Sequence, residues 1–168
     1  MRAAAILLAV AAALALQTTL ARYVRGTAAV DLVLVVVVYV ALALGPVSGL
    51  LTGTLAGLLQ DALSTGVIGI GGLAKTVVGF LSGIVGTQFI VAQPMPRFLV
   101  FFGATILHAV VFMGLYVLLD LRQFDPPYTA VAGQAASNAV VGVVTFQLVE
   151  RLPGAVERRR ASKGRLRR

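Results

Sequence analysis

The residues able to do chemistry in this sequence are few, and most lie inside apolar stretches. His108 is its single histidine, and Gln134, Ser137 and Asn138 follow in the next apolar stretch, with Gln134 and Asn138 one helical turn apart. Brought together, His108, Gln134 and Asn138 would form an interhelical hydrogen-bond cluster, an ordinary glue contributing on the order of 1 kcal/mol per bond. A proton relay or a substrate pocket draws on the same residue types, but no carboxylate shares the histidine's stretch. Asp61 and Lys75 are the other candidates. Ionisable groups in membrane segments are rare enough to mark function by default. They are expected as an intramembrane ion pair closing a helical hairpin, with Lys75 either snorkelling to the interface or taking a mechanistic part.

Catalytic signatures do not occur: there is no HExxH, no GxSxG and no phosphate loop ending in Gly-Lys-Ser or Gly-Lys-Thr. The sequence has no cysteine, which removes disulfides and thiolate ligands together. With one histidine and six scattered acidic residues a metal site is not expected either. The sequence predicts no enzyme and no cofactor.

The elements that position these side chains follow from composition. Hydrophobic residues make up 59% of the 168 and charged residues 12%, about half the charged share of a soluble domain; the mean hydropathy is +0.97. A bilayer is the solvent that suits such a chain. The fold class expected is all-α, a polytopic membrane bundle of about six transmembrane helices. Runs near the roughly 20 residues needed to span a bilayer place them at about 3–21, 32–44, 47–60, 73–92, 98–119 and 128–149, in one transmembrane domain over 1–152.

The first span has a small-residue stretch, Ala13, Leu14 and Ala15, that resembles a signal-peptidase site. Arg2 alone makes a minimal charged leader, so the span is expected to be retained. Residues 32–59 are broken only by Gly45-Pro46; proline removes a donor and clashes with the preceding turn, and two short helices are preferred to one kinked helix. Residues 66–72, with four glycines, are expected as poorly helical backbone packed at one membrane face.

Gly45, Gly49, Gly53 and Gly57 recur every fourth residue, with Asp61 continuing the series. On a helix they share a face and leave a smooth groove, the small-xxx-small device of membrane packing. The groove serves either internal packing or a partner helix, and internal packing is favoured.

The net charge of +8 has a definite address: eight of the 14 cations follow Glu150. A basic cluster straight after an apolar segment reads as a cytoplasmic flank meeting anionic lipid rather than a nucleic-acid footprint. Residues 153–168 are expected as a basic cytoplasmic tail, a surface segment or disordered arm. Six spans then put both ends on the cytoplasmic side of the cytoplasmic membrane and Arg97 on an inner loop, while Arg22 and Arg25 fall outside, against the rule.

The middle of the chain resembles the rod shape-determining MreD family. The likeness rests on Asp31 to Leu34, on the run from Ala41 through Gly45-Pro46 to Gly49, on Gly53, on Gly57 to Asp61, and on Gly69 with Leu73 to Thr76. Its specific part covers residues 31–83, and Val30 stands where that family commonly has proline before the aspartate. The resemblance implies a non-enzymatic scaffold of bacterial wall elongation that binds an MreC-like bitopic protein and links MreB filaments to RodA and its penicillin-binding partner. The same glycine series followed by Asp61 is also similar to the substrate-binding subunits of energy-coupling-factor vitamin transporters, six-helix proteins of this size. Without tryptophan and with four tyrosines, the polar and aromatic set for a vitamin pocket is thin, so the scaffold is preferred.

Overall fold

The computed structural model describes residues 2–23, 30–64, 66–88, 93–121 and 128–165. Among them every regular element is helical: α1 Arg2–Tyr23, α2 Leu32–Leu44, α3 Pro46–Ala62, α4 Ile70–Gln88, α5 Pro94–Leu118 and α6 Tyr128–Arg165. Three stretches are long and apolar enough to cross a membrane: Ile70–Gln88, Pro94–Leu118 and Tyr128–Arg151. The chain is an all-helical membrane bundle. Arg25, the end of the fourth expected span at 89–92, most of the fifth connection at 122–127, and Arg167 and Arg168 lie outside the described residues.

Gly45 separates α2 from α3. Its backbone sits at φ 90°, ψ −179°, a region essentially reserved for glycine. Its N–H donates to the Ala41 carbonyl at 2.9 Å and its carbonyl accepts from Gly49 N–H at 3.0 Å, so one residue ends one helix and starts the next. Pro46 takes the first helical position, where its missing donor does no harm. The two helices fold back on each other, with Val33 and Val37 of α2 sharing a cluster with Ala56 of α3. They are short, about 20 Å and 26 Å by their 13 and 17 residues.

α2 is the centre of the bundle and touches all five other helices. Leu34, Val35 and Val38 pack with Val78 of α4, Phe101 and Ala104 of α5, and Ala139 and Phe146 of α6. Its other side meets Val10, Ala13 and Leu14 of α1. Gly142 lets α6 close on α5, since a Cβ there would lie 2.5 Å from the Phe101 ring.

Two boundaries depart from expectation. Helix α4 begins at Ile70, so Gly71 and Gly72 are helical despite their propensity cost of roughly 1 kcal/mol each. The Asp61 carboxylate compensates by capping the helix start, as described below. The second departure is α6, which stays helical past Pro153 to Arg165 where a surface segment or disordered arm is expected. Residues 155–165 are rich in Ala, Glu, Arg and Lys, all strong helix formers.

Candidate functional site

A buried ion pair joins Lys75 Nζ to Asp31 Oδ2, 3.0 Å apart, with side chains only 4% and 7% exposed. Asp31 owes its place to capping. Its Oδ1 accepts from Leu34 N–H at 2.9 Å, which satisfies one of the orphan amides of α2, and the positive end of the helix dipole favours its charge. Gln17 of α1 takes a neighbouring amide, that of Val33, at 3.3 Å.

Two further helices close on the pair. Lys75 Nζ lies 3.1 Å from Nε2 of His108 on α5. From α6, Asn138 Oδ1 accepts from the Asp31 backbone N–H at 2.9 Å, and its amide donates to Thr105 Oγ1 at 3.1 Å. Thr105 in turn donates to the Phe101 carbonyl at 2.9 Å. Asp31, Lys75, Thr105 and Asn138 are all buried, and His108 is half-buried with its ring stacked on Phe112 at 5.8 Å. The network therefore ties α1, α2, α4, α5 and α6 around one buried charge pair.

The expected pairing of Asp61 with Lys75 is not what forms. Asp61 Oδ2 accepts from Gly69 N–H at 2.8 Å and Gly72 N–H at 3.0 Å, so its carboxylate caps the start of α4. Lys75 lies a turn further along, where its backbone carbonyl faces Gly53 of α3 and its ammonium reaches Asp31 and His108 instead. The polar cluster is also reassigned. His108 and Asn138 join one network, but through Lys75 and Asp31 rather than with each other, and Gln134 is half-buried and takes no part in these bonds. The carboxylate that the histidine's own stretch lacks comes from another helix.

The glycine groove is filled from within the chain. Along α3, Gly49 meets Gly79, Gly53 meets the Lys75 carbonyl and Gly57 meets Gly72, in antiparallel register. A Cβ on Gly57 would stand 2.5 Å from the Gly72 Cα, and backbone cannot yield as a side chain can. Gly83 packs the same way against Pro46. Thr54 and Thr76 hydroxyls hydrogen-bond across the seam at 2.8 Å. Gly45 itself serves the turn.

A second charged group holds the other half of the bundle. Arg97 is not in a loop but in the first turn of α5, buried. Its guanidinium makes a bidentate pair with Glu150 of α6, with Nη1 donating to Oε2 at 2.9 Å and Nη2 donating to Oε1. It also lies 4.4 Å from the centre of the Phe146 ring, and Phe146 packs on Tyr39 of α2 at 4.5 Å. Sequence reading missed Asp31 as a site residue, although its position just before an apolar run is a capping signal. Thr105 and the Arg97–Glu150 pair carry no local signal, because their partners are 33 and 53 residues away.

The arrangement fixes helices by buried charge and close glycine contact. Against known proteins, the family profile described as rod shape-determining protein MreD matches residues 2–153. No curated protein and no solved structure matches the chain.

Proposed function

The chain belongs to the rod shape-determining MreD family, and from that premise we propose that it is a non-enzymatic scaffold of the wall-elongation machinery in the cytoplasmic membrane. Family membership over residues 2–153 carries the reading; a role in rod shape determination follows from it directly. The scaffold part is supported by how the polar groups are used. Asp31, Lys75, Asn138 and Thr105 satisfy one another, and Asp61 serves the backbone of α4, so these residues hold helices in place.

In this reading all six helices cross the membrane, both ends lie in the cytoplasm, and the cations after Glu150 meet anionic lipid headgroups. An MreC-like bitopic protein is the direct partner, with MreB filaments, RodA and its penicillin-binding partner assembled through it. Because α4 fills the glycine groove, the partner's helix binds a lipid-facing surface instead. The exposed sides of α5 and α6, including Leu99, Ile106, Val110, Val140 and Val144, are apolar enough to take one.

Co-purification of the tagged protein from membranes in mild detergent tests this. Recovery of a bitopic MreC-like protein, together with widened or rounded cells on depletion, is the expected result. Recovery of a paired ATPase and its membrane coupling subunit, with cell width unchanged, would replace the scaffold by the vitamin-transporter reading.

A further inference from the structure

The His108 contact has a chemical requirement that reaches beyond scaffolding. A lysine ammonium has three donors and no acceptor, and a protonated imidazole has two donors and no acceptor. The 3.1 Å approach of Lys75 Nζ to His108 Nε2 therefore joins donor to acceptor only when Nε2 carries a bare lone pair. The ring must be neutral, with its proton on Nδ1. A proton arriving at Nε2 would turn the bond into a contact between two cations that share one carboxylate, and Coulomb repulsion at that distance is strong in a poorly screened interior.

The surroundings leave that second cation without relief. From α2 the histidine faces Asp31, whose Oδ2 is engaged by Lys75 and whose Oδ1 is held by the Leu34 amide. From α4 it faces Lys75 itself. Asn138 of α6 does not titrate and is occupied by the Asp31 amide and Thr105; Gln17 of α1 does not titrate and is engaged with Val33 N–H. On its own helix the neighbours are Thr105 and the stacked Phe112 ring. Swinging the Asp31 carboxylate toward a charged imidazole would forfeit the cap of α2, a loss of the kind that destabilises a helix start.

We propose that His108 is a proton-responsive latch: the neutral ring holds α5 to α4 through Lys75, and protonation of the ring releases α5 from that contact. The sign follows from the bond itself: the latched form requires a bare Nε2 and the released form does not, so the form able to take up the extra proton is the released one and acid favours it. The inference rests on the cluster's hydrogen-bond chemistry and stands whether or not the scaffold reading does.

The single histidine makes the test direct. The full-length protein, labelled with [15N]histidine and reconstituted in nanodiscs, gives one pair of ring nitrogen signals. At about pH 8 the expected signature is a protonated Nδ1 and a bare Nε2, and titration to about pH 5 should convert it to the doubly protonated ring. A protonated Nε2 or a charged ring at about pH 8 would overturn the latch, as would a ring that stays neutral to about pH 5. The second arm is thermal unfolding of wild type and His108→Gln over the same range, because glutamine keeps an acceptor oxygen and cannot titrate. The wild-type melting midpoint should fall by roughly 2–4 °C more than that of the variant in acid. An equal acid loss in both assigns the effect to other groups and sinks the proposal. Should His108→Gln fail to fold, the tautomer seen in the wild-type spectrum still decides.

Discussion

Two ion pairs of the same chemistry occupy opposite halves of this bundle, and they are built to opposite rules. Lys75 and Asp31 are both sealed, 4% and 7% exposed, and further bonds from α5 and α6 converge on them. Arg97 is sealed as well, but its partner Glu150 is 55% exposed and remains in contact with the surroundings. On α6 the residues serving the two pairs, Asn138 and Glu150, are twelve positions apart, about 18 Å along the axis. The sealed pair makes each member indispensable, since removing one strands the other. In the half-open pair only the arginine depends on its partner. Burying both ends of a salt bridge thus turns a local attraction into a condition on the whole helix arrangement, and burying one end leaves a local clasp.

Substitutions that separate these two behaviours should differ in size. Lys75→Ala is expected to do the greatest damage, roughly 3–5 kcal/mol, by leaving the Asp31 carboxylate uncompensated in the interior. Unfolding in detergent followed by circular dichroism should register it, and the double variant Asp31→Asn, Lys75→Met should recover most of the loss; equal damage from the double variant would show that charge pairing is not what the cluster contributes. Arg97→Met comes next, at about 1–2 kcal/mol, from the lost ring contact and hydrogen bonds, because Glu150 can remain solvated. If it matches Lys75→Ala, the distinction between sealed and half-open pairs fails. Glu150→Gln should have the smallest effect, because the amide oxygen still accepts from the Arg97 guanidinium, and the effect should shrink as salt is raised, since the carboxylate it removes is exposed and screened. The Lys75→Ala loss should be nearly indifferent to salt.

The parts of the molecule that the sequence foretells are those set by local periodicity. Apolar runs of spanning length, the Gly45-Pro46 break and the four-residue glycine spacing all have a physical reading without knowledge of neighbours. The all-helical bundle follows from them, while the family is legible only as a resemblance carried by residues 31–83. What stayed hidden is rotational. A charged residue near a helix end can turn toward any of several neighbours, and the choice between Asp31 and Asp61 as the partner of Lys75 depends on how α4 is rotated against α2 and α3. Gly53, by admitting the Lys75 carbonyl, decides that rotation, and nothing in the spacing of Asp61 and Lys75 reveals it. The same applies to Arg97, whose place directly after Pro94 and Pro96 suggests a loop until Glu150 is seen to receive it.

The order of the helices along the chain bears on how the bundle is made. Helices α3 and α4 share the most extensive contact of any pair, and α2 packs on both, so the densest part of the bundle is one continuous segment from Asp31, the cap of α2, to Gln88. Contacts local in sequence form fastest, and synthesis delivers the N-terminal portion first. The glycine seam and the Asp31–Lys75 pair both lie within that segment. Everything needed to close them is therefore available once the chain has emerged through Gln88. Helices α5 and α6 then arrive as a hairpin and dock by offering His108, Thr105 and Asn138 to a charge pair already in position, an assembly sequence in which the middle of the protein is the template for its C-terminal half.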